Sequence, residues 1–257
     1  MIKITKVELL EIELYRIDYL NSLPEFQELY LELFVENGEV YKIVENKFFL
    51  GYFIKTEDNI LVEFYLIDQH KSKCEAIFQT IINEITIESI YCKSFDALLL
   101  NYCMKNKMKY EIMGTLFRNY VHSDFFVIPN ISVRVAEMRD YPFLLQQEGD
   151  LYETPEELER FVSKKNVILF HKDDQLIGCG YLIKIHKQFN YYDIGMWVNP
   201  NFRQQGIATM IISYLKNHCI KNNWIPIAGC AADNIASQKT LEKNGFYSQY
   251  SFIEFQF

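Results

Sequence analysis

The residues whose spacing carries the most chemistry are Arg203, Gln204, Gln205, Gly206, Ile207 and Ala208. They follow an extended run, Tyr191-Tyr192-Asp193-Ile194-Gly195-Met196-Trp197-Val198, that ends at Asn199-Pro200. Beyond them, Ile207, Met210, Ile211, Tyr214, Leu215 and Cys219 recur at helical spacing, so a strand enters an amphipathic helix through a short turn. The first turn of such a helix offers backbone N–H groups with no intrahelical acceptor, together with the positive end of the helix dipole. Gly206 and the small Ala208 let a ligand approach that backbone, and Arg203 adds positive charge at the mouth. These features suit a diphosphate. The pattern is neither the Gly-Lys-Ser/Thr of a P-loop nor the Gly-x-Gly-x-x-Gly of a Rossmann turn.

A second unit of the same kind follows. Ile225-Pro226-Ile227-Ala228-Gly229-Cys230 reads as a buried strand, and the helix after it opens at Asn234-x-x-Ser237 and closes in Leu241-Glu242-Lys243-x-Gly245-Phe246. Together, Arg-x-x-Gly-x-Ala after a strand ending Val-x-Pro and the later Asn-x-x-Ser…Glu-Lys-x-Gly-Phe resemble the two signatures of the GNAT superfamily of acetyl-CoA-dependent N-acetyltransferases. Either piece alone is an ordinary strand–helix unit with a glycine after the helix. Their order and spacing make the resemblance specific.

The resemblance implies acetyl-CoA as cosubstrate and assigns residues to it. The backbone of Met196, Trp197 and Val198 would pair with pantetheine as an extra strand does. The N–H groups from Arg203 to Ala208 would hold the pyrophosphate. Asn234 and Ser237 would contact the pantetheine arm and phosphates, although Asn234 equally suits a plain helix N-cap. Acetyl transfer to an amine needs a base for the ammonium, polarisation of the thioester and a proton for the leaving thiolate. Asp193 on the entering strand, with Tyr192 beside it, is the candidate base, against the alternative of a solvated strand-edge carboxylate. The family pattern places a Tyr seven residues after the Asn, and here that position is Leu241. Tyr247 is the candidate substitute acid, with Tyr250 as another.

Composition bounds the remaining classes. The chain has 257 residues, 49% of them hydrophobic, with 20 Phe and 18 Tyr, which is enough apolar surface for one large domain or two smaller ones. A net charge of −8 argues against nonspecific nucleic-acid binding. The six cysteines form no Cys-x-x-Cys pair and sit in apolar patterns, so buried thiols in a reducing compartment are expected, with no metal site. The start has no signal-peptide core and no apolar run approaches membrane-spanning length; a cytoplasmic protein without membrane attachment is expected.

The element pattern predicts α/β architecture with a mixed sheet, in two tandem GNAT-like domains. In the second half, Ile131–Met138 reads as a strand and Tyr141–Gln147 and Thr154–Ser163 as helices. Val167–His171 and Gln175–Lys187 form a hairpin about Lys172-Asp173-Asp174; the two strand–helix units and a last strand, Tyr250–Phe257, follow. The first half repeats the order: Tyr41–Val44 and Phe48–Lys55 as a hairpin, Ile60–Ile67 as a strand, then helix, strand (Ile87–Cys92) and helix. A shift of 138 positions superposes Cys92 on Cys230, Asp96 on Asn234, Lys105 on Lys243 and Asn106 on Asn244. The first half has Asp68-Gln69-His70-Lys71-Ser72-Lys73-Cys74 where the diphosphate loop should stand, with no glycine. The expectation is therefore a degenerate GNAT-like domain over 1–124, against the alternative of an unrelated α+β domain there, a linker over Asn119–Asp124, and a GNAT acetyltransferase domain over 130–257.

The leading function is an N-acetyltransferase acting on an amine of a small molecule or peptide. Two other classes stay open: a non-catalytic acyl-CoA-binding or regulatory module, and an aminoacyl transferase of tandem GNAT fold. A homodimer is compatible with the sequence, which does not name the acceptor.

Overall fold

The computed structural model describes residues 1–123, 126–147 and 151–257; Asp124, the last residue of the expected linker, lies outside them. Two compact units emerge, and they do not follow a single cut of the chain. The first comprises residues 1–116, 231–233 and 249–257, and the second comprises 117–230 and 234–248.

The first half of the chain forms β1 (Ile2–Val7), α1 (Glu13–Ser22), α2 (Leu29–Asn37), β2 (Glu39–Glu45), β3 (Phe48–Lys55), β4 (Ile60–Leu66), α3 (Cys74–Glu84), β5 (Ser89–Lys93), α4 (Ala97–Lys105) and β6 (Lys109–Tyr120). The second half forms β7 (Ile131–Val135), α5 (Tyr141–Leu144), α6 (Pro155–Ser163), β8 (Val167–Lys172), β9 (Gln175–Lys184), β10 (Tyr191–Val198), α7 (Ile207–Lys221), β11 (Ile225–Ala231), α8 (Ile235–Lys243) and β12 (Phe246–Gln256). Most expected elements are present with shifted ends. The helix expected over Tyr141–Gln147 stops at Leu144, because Gln146 and Gln147 donate to carbonyls only three residues back and the last turn tightens. Asn119 and Tyr120, expected as linker, close β6 instead.

Strand order is β1-β2-β3-β4-β5-β12 through the first unit and β7-β8-β9-β10-β11-β6 through the second, where β6 contributes its residues 117–120 while residues 109–116 belong to the first unit. Neighbours from β1 to β4 and from β7 to β10 are antiparallel, while β4–β5 and β10–β11 are parallel. Each unit thus includes strand residues from the other half of the sequence, 249–256 of β12 in the first and 117–120 of β6 in the second. Residues 252–256 of β12 pair antiparallel with β5, Phe252 opposite Lys93 and Gln256 opposite Ser89. Ile253 and Phe255 enter the first unit's core with Leu61, Phe64, Phe78 and Ile81.

The internal repeat is realised atom for atom at the helix ends. Asp96 caps α4 by accepting from the Leu99 N–H at 3.3 Å, and Asn234 caps α8 by accepting from the Ser237 N–H at 3.0 Å. Asn106 and Asn244 close the same helices, each donating its side-chain amide to a carbonyl one turn back, Tyr102 and Thr240, at 2.9 Å. Every one of these pairs is related by the same 138-residue shift.

Candidate active site

The site is built from the way β10 leaves its neighbours. Along β9 it is paired throughout, from Tyr192 opposite Lys184 to Val198 opposite Gly178. Along β11 the ladder holds only three pairs, ending at Asp193 opposite Ile227. Past that pair the two parallel strands run on to Val198 and Ala231 without a shared ladder. A wedge opens there, with Asp193 at its apex and the 199–206 loop at its mouth. The helix α7 is drawn down beside it, since a Cβ on Gly178 would stand 2.6 Å from the Trp197 carbonyl oxygen and 2.8 Å from Ile211.

The loop turns on local hydrogen bonds. Asn199 accepts from the Asn201 N–H at 3.1 Å and donates its amide to the Leu176 carbonyl at 2.9 Å, which fixes the exit from the strand. Arg203 Nε donates to the Val198 carbonyl at 3.3 Å, so the guanidinium is held over the end of β10. Gln204 and Gly206 have positive φ, +61° and +81°. Gly206 is the N-cap of α7, and among the described residues no side chain caps that helix; its first turn carries no acidic residue. The N–H groups of the turn and the dipole therefore face outward with no capping side chain among the described residues. Arg203, Gln204, Gln205 and Gly206 are exposed, Ile207 is buried and Ala208 half-buried. This is the donor set a diphosphate requires.

The candidate acid–base residues are not all brought together. Side chains alternate along β10: Tyr192, Ile194, Met196 and Val198 join the core with Ile207, Met210 and Ile211 of α7, so Asp193, Gly195 and Trp197 face the other way. The Tyr192 ring stacks on Trp224, with centroids 4.1 Å apart, and burial raises its hydroxyl pKa. Tyr192 and Asp193 are thus on opposite faces and do not form a pair. Asn234 spends its carbonyl oxygen on the α8 cap. Ser237 is half-buried one turn into that helix. Leu241 is 2% exposed and packs in the same core as α7, while Tyr247 is exposed at the start of β12. Tyr250 belongs to the first unit, its ring edge-on to Phe95 at 5.3 Å.

Two residues escaped sequence reasoning. Lys216 of α7 is buried, donating to Ser123 Oγ and to the Asn244 carbonyl, both at 2.5 Å; burial lowers its pKa. It ties α7 to the end of α8. Phe126, in the segment between the two family-like halves, lies against Gly206. Neither carries a local sequence signal, because each acts through a distant contact.

The first unit has the same parallel opening, with only Ile60–Ser89 and Leu61–Ile90 paired between β4 and β5. Its loop, Asp68–Lys73, is a 3-10 turn that begins with an acid. Beside that loop is a cavity of about 90 Å³, lined by Lys71, Phe64, Tyr65, Phe95, Asp96 and Tyr19 among others. Sites for drug-sized ligands span about 300–1,000 Å³. Buried polar groups fill the surroundings: Lys93 donates to the Tyr19 hydroxyl at 2.7 Å and to Gln27 at 2.9 Å, and Tyr19 donates to Asp96 at 2.7 Å. Arg16 joins Glu32 at 2.8 Å and Glu63 at 3.1 Å on the same helix-covered side.

Comparison with known proteins decides the family. The model described as "Acetyltransferase (GNAT) domain" matches residues 8–120, and that described as "Acetyltransferase (GNAT) family" matches residues 131–246. The chain is a tandem GNAT protein. An acetyltransferase of the GNAT family from Colwellia psychrerythraea is similar over 99% of both chains, with a TM-score of 0.87 and 18% identity. A tandem GNAT protein from the clavulanic acid biosynthesis pathway is similar over 99% of this chain and 98% of its own, with a TM-score of 0.64 and 9% identity. At these identities the likeness is one of fold. No curated protein matches this GNAT chain by sequence.

Proposed function

We propose that this tandem GNAT protein transfers the acetyl group of acetyl-CoA to a primary amine, and that the second unit carries the reaction. The observation that supports this reading is the wedge between β10 and β11 leading into an α7 N-terminus that no side chain among the described residues caps. Bound there, acetyl-CoA would supply an activated acetyl thioester. The chain's own part is to hold and to orient. The N–H groups of Arg203–Ala208 and the Arg203 guanidinium hold the diphosphate, and the β10 backbone from Met196 to Val198 aligns the arm. Asp193, at the last β10–β11 pair, is the carboxylate best placed by sequence position to take the ammonium proton.

A second reading, a module that binds acyl-CoA without turnover, is favoured by one observation: Leu241 fills the core where the family pattern has its proton-donating Tyr. The test is a screen of amines and peptides with the full-length chain, read by release of free CoA thiol, beside calorimetric titration of CoA. Turnover of any amine supports the enzyme, and tight CoA binding without turnover supports the module. No CoA binding at all refutes both.

A further inference from the structure

We propose that Phe126 forms a wall of the nucleotide end of this site, offering its ring to the adenosine portion of CoA; the proposal rests on the acyl-CoA reading above. Atoms Cε1 and Cζ of the ring lie 3.4 Å from where a Cβ on Gly206 would be, so the ring is in van der Waals reach of the N-cap of α7. The backbone that carries the ring is held in place. The Phe126 N–H donates to Ser213 Oγ at 3.0 Å, and Ser213 is fully buried two turns into α7. Two residues on, Ile128 packs against the second unit's core. Despite these anchors the ring is 43% exposed, and Arg203–Gly206 beside it are exposed too. The ring therefore borders the N–H cradle without closing it.

An exposed aromatic face next to backbone donors and an arginine matches a nucleotide diphosphate part by part. The donors and Arg203 suit the phosphates, and the ring suits a flat base, which stacks on aromatic side chains whatever its identity. A Phe held at a diphosphate cradle gains nothing from the phosphates themselves. Its partner must be the apolar, planar part of the same ligand.

The experiment titrates wild type, Phe126→Ala and Phe126→Leu with CoA, with 3′,5′-ADP and with acetyl-pantetheine, which lacks the nucleotide. The Leu variant keeps an apolar cover on Gly206 while removing the flat ring, so it reports on stacking even where Ala disturbs the fold. Both variants are expected to weaken CoA and 3′,5′-ADP by about fivefold, the low end for a base–aromatic stack. Acetyl-pantetheine should bind all three proteins alike. A Phe126→Trp variant should retain affinity and change its indole fluorescence with 3′,5′-ADP, against the unchanged background of Trp197 and Trp224. Unaltered or tighter CoA binding by the Leu variant overturns the proposal and makes the ring a bystander or a lid. Equal losses for acetyl-pantetheine also overturn it. A wild-type protein that binds none of the three overturns the acyl-CoA reading itself, a result separable from the other two.

Discussion

Gly206→Ala separates the backbone argument from the ligand argument. The residue sits at φ +81° as the N-cap of α7, a conformation that costs an L-residue about 1–2 kcal/mol. Crowding is not the issue, since the nearest atoms to an added Cβ are those of the Phe126 ring at 3.4 Å, an ordinary contact. Each kcal/mol lowers the Tm of a chain this long by about 2–4 °C. Alanine should therefore lower it by about 2–8 °C, and the β-branched Val by more. To relieve the strain the loop must turn φ negative, which swings one N–H out of the array. A hydrogen bond to a charged group is worth about 1.5–3 kcal/mol, so CoA affinity should fall about 10- to 150-fold. The assay is a thermal melt with and without CoA, beside calorimetric titration. A Tm loss with unchanged affinity would show that alanine keeps the positive φ and leaves the N–H array in place, and the bulkier Val then tests the cradle. An affinity loss with unchanged Tm would refute the strain argument while leaving the cradle intact. If Gly206→Val folds and binds as wild type does, both arguments are wrong.

Asp193→Asn should lower kcat/KM, whereas Tyr192→Phe should leave it unchanged, because Tyr192 faces α7 and stacks on Trp224; an unchanged kcat/KM in Asp193→Asn would take Asp193 out of the reaction. Leu241→Tyr inserts a phenol into a site 2% exposed and should cost about 1–3 kcal/mol of stability with little change in kcat. A gain in rate of a hundredfold or more would show a crippled native site and favour the binding-module reading. Deleting residues 249–257 removes the partner of β5 and the buried Ile253 and Phe255, so the first unit should lose its cooperative melt and bind a hydrophobic dye. Retention of a native melt would refute the assignment of that strand to the first unit.

The sequence by itself determined the features that depend on neighbours along the chain. Gly206 could be read as the residue that admits a diphosphate because a helix start needs only its own backbone to offer N–H groups. Asn234 and Asp96 could be matched across 138 positions because an N-cap bonds three residues ahead. The opposite faces of Tyr192 and Asp193 were also present in the strand's two-residue period, although adjacency in sequence suggests a pair. Tertiary structure decided whatever depends on pairing at a distance. Nothing local in Phe252–Gln256 says that it will pair with Ser89–Lys93 rather than stay within its own half, since a strand's hydrogen-bonding edge carries no address. Phe126 likewise falls between the two expected domains with no local signal, and only the folding of Ser213 and Gly206 onto one side of α7 brings it against that helix start.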